Sequence, residues 1–545
     1  MRARAQLTAA NQAPPLRGYN LVAENRPLLE ALRREGAGWY EETLLAFGEE
    51  LGGEPLEWGR LANAHPPHLR THDRYGNRID EVEFHPAWHG LLQLGVETGV
   101  HALPSHVARA AAFVALTQVE AGVGCPLSMT HAAIPALRVS PDLATEWEPL
   151  LTSRVYDPRL RPAHEKRGAL AGMAMTERQG GSDVRANETE AHPCGDGEAT
   201  LHGHKWFCSA PMCDVFLVLA QAPAGLSCYL VPRVLPEGTR NAFHIDRLKD
   251  KLGNRSNASS EIRLEGAHAS LVGDEGRGVA TIIEMVVHTR LDCVLGSTAL
   301  LRQAVAEATH HAAHRHAFGR ALTDQPLMRN VLADLCVESE AATVCAFRLA
   351  RAFDDEGPLV GPGHKRAPGS ARGPLPSGAR APEGEGAFRR LATAVLKYWV
   401  CKRTPAAVGE ALECLGGNGY VEESGLPRLF RESPLNAIWE GASNVQCLDV
   451  LRALHREPES ADAFLAELDE RDRPGVERAL ADATEEGARR LVETMAVALQ
   501  GSLLDRHGDE AVAEAFRARE AFGAFGTLPP GLDLDRIVER HRPRV

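Results

Sequence analysis

The chain runs to 545 residues, too many for a single hydrophobic core, and its composition is that of an ordinary globular protein. Its 73 acidic and 60 basic side chains leave a formal net charge of −13, which speaks against a protein coated by nucleic acid and leaves only local basic patches open. Eleven cysteines occur without a C-x-x-C pair, so neither a metal site nor a disulfide framework is expected and a reducing cytoplasm fits.

The start carries Arg2 and Arg4 with no signal-like apolar run behind them, and no later stretch reaches about 18 apolar residues. The expectation is a cytoplasmic protein that is neither secreted nor membrane-spanning. Residues 11–20, with Pro14 and Pro15, read as an extended arm, because proline fixes φ and lacks the donor a helix needs. Apolar residues then recur at helical spacing in 28–32, 43–51, 88–96 and 110–123, which predicts an all-α first domain over 1–165.

From about Gly168 the period changes to two. The runs VFLVLAQA at 215–222 and SCYLVPR at 227–233 predict a small β-barrel domain over 166–279. It holds AMTERQGGSDVRA at 174–186, a polar loop whose Thr176 and Ser182 offer hydroxyls. There Gly180 and Gly181 let the backbone approach a flat ring. It also holds GHKWFCS at 203–209, where strand alternation puts Trp206 on one face and Phe207 on the other.

Helical periodicity returns over 281–315, 327–353 and 388–415, predicting a four-helix bundle in 280–445. Residues 354–386 interrupt it with 6 Pro and 8 Gly in 33 positions, a composition read as a disordered loop. His310 and His314 stand one helical turn apart without a carboxylate partner, which fits a solvated helix face rather than a metal site. Beyond 445, helical patterns at 450–455, 461–468 and 485–504 predict an extra C-terminal domain over 446–545.

These motifs resemble those of the acyl-CoA dehydrogenase family. The run 174–186 fits its first signature. LGGNGY at 415–420 fits the second, except that the leading glutamine is Glu413 here. The resemblance implies a mainly α fold with a central small β-barrel domain, an N-terminal helical domain and a C-terminal four-helix bundle. It also implies FAD, held by Met175, Thr176, Gly181, Ser182, Phe207, Ser209, Arg315, Phe318, Gln325, Gly416, Gly417 and Asn436. Physical chemistry agrees at two points: a guanidinium such as Arg315 can clamp a diphosphate bidentately, and glycine amides can point at phosphate. The family's catalytic base maps to Glu440. Its alternative position before Arg290 is Thr289, which leaves Glu440 alone. Taking a proton α to a thioester calls for a carboxylate whose pKa an apolar pocket has raised.

The segments REGAGW, GRLANAHPP, HPAWH, KDKLGNRSNAS and EESGLPRLFRESPLNAIWEG are similar to the AidB-type branch of that family, flavoproteins of the adaptive response to DNA alkylation. That likeness implies a homotetramer with weak acyl-CoA dehydrogenase activity, acting on a small acyl-CoA or alkylating compound, and binding double-stranded DNA non-specifically. An ordinary dehydrogenase of short or branched acyl-CoA, and a non-catalytic nucleic-acid-binding scaffold, are the alternatives. If DNA is bound, Arg489, Arg490, Arg517, Arg519, Arg540, Arg542 and Arg544 are the cationic clusters. Residues 445–545 nevertheless carry 14 Arg and no Lys against 21 acidic residues.

Overall fold

In the computed structural model, which describes residues 11–354, 384–520 and 522–545, a barrel of strands sits between two helical regions. The disordered-loop expectation for 354–386 falls mostly outside the described residues; at its end, helix already begins at Glu385. No described helix is long and apolar enough to cross a membrane.

The first region contains α1 (Arg26–Arg34), α2 (Glu41–Leu51), α3 (Glu54–Ala64), α4 (Pro86–Thr98), α5 (His106–Val119), α6 (Gly124–Leu137) and α7 (Pro141–Leu151). Helices α5 and α6 are mostly apolar and buried on nearly every face, the pattern of core rather than surface helices. This region is not all-α, because an antiparallel hairpin of β1 (His68–His72) and β2 (Arg78–Glu83) interrupts it. Its turn is built by Asp73, whose carboxylate accepts from the amides of Tyr75 and Asn77, and by Gly76 at φ +86°. The hairpin lies against the barrel, where Arg78 donates to the carbonyl of Ile245 at 3.1 Å.

The barrel comprises β3 (Ala171–Ala174), β4 (Glu190–Gly195), β5 (Glu198–Ser209), β6 (Val215–Ala222), β7 (Gly225–Pro232), β8 (Phe243–Leu248) and β9 (Ser259–Val272). Strand β7 pairs with both β9 and β6, so the path β6-β4-β5-β9-β7 closes on itself and removes its free edges. Strand β6, VFLVLAQA, is buried on both faces over its first six residues, which explains its unbroken apolar run.

The second helical region starts with α8 (Gly278–His314), roughly 55 Å long at 1.5 Å per residue. A small hairpin, β10 (His316–Ala317) and β11 (Arg320–Ala321), turns the chain into α9 (Pro326–Phe353). Helices α10 (Glu385–Cys414), α11 (Leu426–Glu432) and α12 (Ser443–Arg456) follow. Helices α8, α9 and α10 pack on one another, α12 packs on α10, and α5 and α6 lie along α8. The remaining helices are α13 (Glu459–Ala466), α14 (Arg473–Ala481), α15 (Ala488–His507), α16 (Glu510–Arg517) and α17 (Leu534–His541). Of these, α15 and α17 lie against α9, and α13 and α15 against α10, so they continue the bundle's core.

The arm 11–20 is docked. His310 is buried, not solvated, and its Nε2 lies 2.9 Å from the carbonyl of Pro14, so this histidine fastens the arm to α8. Leu16 and Tyr19 are buried beneath it, and Tyr19 reaches Gln303 at 3.3 Å.

Candidate functional site

The loop after β3 is anchored by an ion pair that sequence reasoning passed over. Glu177 and Lys205 are fully buried and meet at 2.6 Å, and Glu177 also accepts from the hydroxyl of Thr189 at 2.6 Å. Burial alone would raise the Glu177 pKa, but Lys205 and these donors together pull it below the usual carboxylate value. Burial in turn brings Lys205 down to about 8. With Glu177 fixed, the backbone of Thr176 accepts from Trp206 at 2.8 Å, and Asn187 holds the carbonyl of Met175 at 2.8 Å. Met175, Thr176 and Ser182 are thereby presented on the rim. Gly181 is required there, since a Cβ would lie 2.5 Å from the Thr176 hydroxyl.

Strand β5 departs from simple alternation. Its pairing with β9 shifts between Lys205 and Cys208, a bulge that lets Trp206 and Phe207 both flank one ammonium. Lys249 Nζ lies 3.4 Å from the Trp206 ring centre and 4.7 Å from that of Phe207. Phe207 is 52% exposed, too open for a core residue. At the end of β5, Ser209 faces Ser259 at 3.4 Å, and Lys251 donates to Ser259 at 3.0 Å and to the carbonyl of Asn257 at 2.6 Å.

The Lys251 loop is clamped from two sides. Glu432 of α11 accepts from the amide and side chain of Asn254, at 2.6 and 2.8 Å. Glu120, after α5, accepts from Ser256 at 2.8 Å and from Arg428 at 3.0 Å. Burial, and then the nearby Glu120 charge, lift Glu432 to about 7. Cys125, buried within the field of Lys251 and Glu440, joins this corner to the next; burial pushes its thiol up to about 12 and keeps it neutral.

Glu440 stands in the turn between α11 and α12 with φ +58°, the left-handed region that costs an ordinary side chain about 1–2 kcal/mol. Four neighbours hold it there. Its carbonyl accepts from Arg290 at 3.1 Å and Gln446 at 3.0 Å, and Lys397 donates to the flanking carbonyls of Trp439 and Gly441 at 2.8 and 2.5 Å. Thr289, on α8, donates to the Glu440 carboxylate at 2.8 Å. Burial raises the Glu440 pKa, while Thr289, Lys397 and Arg290 pull the other way. The result is a fixed carboxylate of raised basicity.

A second cluster forms at the far end of α8. Arg315 donates to the carbonyl of Asn11, and Asn11 exchanges two hydrogen bonds with His316, at 2.9 and 2.8 Å. Gln12 accepts from Asn418 at 3.1 Å, so the arm ties the β10–β11 hairpin to the glycine turn Gly416–Tyr420. Phe318, at the hairpin tip, is 98% exposed, and Tyr420 is 85% exposed. Gly416 and Gly417 face open space.

Comparison with known proteins gives this geometry a lineage. Residues 11–158 match the model of the adaptive response protein AidB N-terminal domain. Residues 172–267 match the acyl-CoA dehydrogenase middle domain, and 276–368 with 377–455 match the acyl-CoA dehydrogenase C-terminal domain. The AidB protein of Escherichia coli (strain K12) is 48% identical over 460 residues, covering 83% of this chain and 81% of that protein. The chain belongs to the AidB-like acyl-CoA dehydrogenase family. Acyl-CoA dehydrogenase family member 11 of Caenorhabditis elegans is 32% identical over 75% of this chain and 66% of that protein. The crystal structure of C. elegans ACDH-11 in complex with C11-CoA superposes with a TM-score of 0.82 at 27% identity, covering 99% of this chain and 93% of that one. An acyl-CoA dehydrogenase from Bacillus anthracis complexed with FAD shares the fold at 19% identity, with a TM-score of 0.61 over 79% of this chain and 77% of that one.

Set beside the family's pattern, several side chains take internal roles. Asn436 is buried, donating to Ser297 at 3.2 Å and accepting from Trp439 at 2.9 Å, so it props the Glu440 turn from inside. Gln325 spends both ends on the β10–β11 hairpin, donating to the Ala317 carbonyl at 2.9 Å and accepting from Arg320 at 3.1 Å. The C-terminal arginines divide in the same way. Arg517 pairs with Asp472 and Asp505, both at 2.7 Å, and Arg519 is buried against Asp334 and Glu338 at 2.5 and 3.0 Å. Arg540 joins Glu340 at 2.8 Å and also Glu30. These three are consumed by the fold. Arg542 pairs with Glu539 at 2.8 Å, while Arg489, Arg490 and Arg544 are exposed. Lys397 and Gln446 carried no sequence signal, and Arg290 served there only as a landmark, because each acts on a backbone carbonyl that only the folded turn presents.

Proposed function

We propose that this protein is an FAD-dependent oxidoreductase that slowly dehydrogenates an acyl-CoA and serves the response to DNA alkylation, as its likeness to E. coli AidB suggests. The observation that carries the reading is Glu440, a carboxylate of raised pKa fixed by Thr289 and by a strained backbone turn. The chain fits a flavin: Gly181 keeps the Thr176 hydroxyl unobstructed, Phe207 lies open on β5, and Ser209 closes the same strand. Thr176, Ser182, Phe207 and Ser209 would hold the ring, and Arg315, Phe318, Gly416 and Gly417 the dinucleotide end. When bound, the flavin supplies the hydride acceptor. The chain's own part is to place the thioester's α carbon against Glu440, which takes the proton, and to keep water from that carboxylate. The exposure of Phe318 and Tyr420 supports assembly into a tetramer in which a second copy covers them.

Anaerobic titration with short, branched and C11 acyl-CoAs tests the reading. Slow bleaching of the oxidised flavin band is expected with at least one of them. A colourless protein that micromolar FAD cannot reconstitute would sink it, and rapid turnover would assign an ordinary dehydrogenase instead.

For DNA, the exposed Arg489, Arg490 and Arg544 support a contact made only with phosphates. Its affinity should be sequence-independent, with a logarithmic salt slope of about −0.9 per phosphate neutralised. Arg489→Glu with Arg490→Glu should weaken duplex binding and leave the flavin spectrum unchanged. Wild-type affinity weaker than roughly 10⁻⁴ M at low salt would remove DNA from the function.

A further inference from the structure

Three imidazoles from three helices meet where the N-terminal helices pack on the bundle. His106 opens α5, His131 lies in α6 and His288 in α8, and all three are buried. One ring nitrogen from each falls within 4.8 Å of the other two. Their hydrogen bonding is unusual for buried histidines. The Nδ1 of His131 lies 3.1 Å from the carbonyl of His101, which makes it the protonated nitrogen and leaves Nε2 a bare lone pair with no partner among the described residues. Neither ring nitrogen of His106 has a hydrogen-bond partner among the described residues. Buried polar atoms are seldom left unpaired, since they lose hydration and gain nothing in exchange.

We propose that His106, His131 and His288 form a binding site for a divalent transition metal of the zinc class. Neutral imidazole nitrogens are the donors that zinc, nickel and copper take. The bond from His131 Nδ1 to a backbone carbonyl is the kind of contact that orients a metal-bound imidazole. Metal–nitrogen bonds of about 2.0–2.1 Å set tetrahedral ligand nitrogens about 3.3 Å apart, so the cluster closes by about 1.5 Å at most, through side-chain rotation. Three histidines leave the fourth position to water.

Charged groups of both signs stand around the site. Arg109 is held in a bidentate pair with Asp292 at 2.7 and 2.6 Å, and a second cation, Arg389, lies over the Phe353 ring at 5.1 Å. The Asp354 carboxylate, which accepts from the His106 amide and from Ser105, lies on the same rim. Phe353 packs on His106 and His288, with ring centres 5.5 and 5.2 Å away, and shields one side. The site joins α5 and α6 to α8 one residue before Thr289, the donor to Glu440. A metal here is a cross-link between the N-terminal helices and the helix that carries the base's partner.

The experiment uses the full-length FAD-loaded protein, stripped with EDTA, reconstituted with Zn²⁺ and gel-filtered. Elemental analysis should find about one zinc per chain, with a higher Tm than the stripped form. Cobalt in place of zinc should give the visible d–d bands of a tetrahedral site. His131→Gln and His288→Gln should each abolish uptake, with circular dichroism and flavin absorbance intact, whereas His310→Gln should keep it. Less than about a tenth of an equivalent in the reconstituted wild type, or full uptake by the His131→Gln/His288→Gln double variant, would overturn the proposal. Should the variants not fold, the wild-type cobalt spectrum decides: tetrahedral bands support the site, and their absence with an unchanged Tm refutes it.

Discussion

The Glu440 turn and the Phe318 hairpin both break helical structure and both hold a non-glycine residue at positive φ, +58° and +52°. There the likeness ends. Glu440 is held through its own carbonyl, its two flanking carbonyls and its carboxylate, by residues of α8, α10 and α12 in the same chain. Phe318 is bare, on a hairpin steadied by Gln325 and Asn11. A proton acceptor must be fixed to a few tenths of an ångström to be useful, and one chain suffices to do that. An apolar ring held out in water gains nothing until another surface meets it. The contrast separates a base fixed wholly within one chain from an exposed tip that the proposed assembly would cover.

The sharpest break is Glu440→Gln. It keeps the hydrogen bond from Thr289 but removes the base, so flavin reduction by any reactive acyl-CoA should fall about 10³-fold or more. Stopped-flow absorbance reads the loss, and FAD content and light scattering should both stay at wild-type values. If either falls with the rate, the two regions are not separable.

Phe318→Asp attacks the other side. A charge at the tip should weaken assembly by on the order of 2 kcal/mol, roughly 30-fold, as loss of a buried interface anchor does. FAD should be lost on dilution along with the oligomer, because a site completed by two protomers links the two equilibria. A monomer by light scattering that retains its FAD would show that one chain holds the cofactor unaided. Arg315→Ala should loosen FAD by about ten-fold, the scale of one charge-assisted hydrogen bond, and leave the oligomer unchanged only at FAD concentrations that still saturate the variant.

Much of this contrast was legible in local sequence, and what was not has a common cause. The glycines of 174–186 and the three-and-four spacing of α8, α9 and α10 state their conformation within a few residues. The hairpin β1–β2 alternates too, but with His, Arg and Thr on its strands it lacks the apolar face that marks a strand. The bulge after Lys205 adds a residue that periodicity cannot register, which is why Trp206 and Phe207 share Lys249 instead of parting to opposite faces. Partnerships across the chain left no trace at all. Thr289 and Glu440 are 151 residues apart, and Arg519 meets Asp334 across 185. The acidic balance of the C-terminal stretch reads differently once partners are known: its Asp449 and Glu467 pair with Arg290, Arg390 and Arg348 of the bundle, while its Arg519 and Arg540 are taken up by acids of α9. The imidazoles of His106, His131 and His288 belong to the same class, since no local spacing joins three helices.

The finest test of the fixed side is Thr289→Val, which removes one hydroxyl and keeps the shape. Thr289 donates to the carboxylate and therefore favours its charged form, lowering a pKa that burial has raised. Without it the carboxyl should titrate higher still. The reaction needs the ionised base, so the acid limb of the rate profile, already above the ordinary glutamate range, should move to higher pH. Such a bond to a charged group contributes on the order of 1.5 kcal/mol, which displaces the limb by about one pH unit. The rate on the alkaline plateau should change less than the rate below the limb, where a loss of about ten-fold is expected. Oligomeric state and FAD content should not change. A limb that stays in place would mean that Thr289 sets only the position of the carboxylate. A limb that moves to lower pH would mean that the hydroxyl accepts from a protonated Glu440, so that the resting base carries its proton.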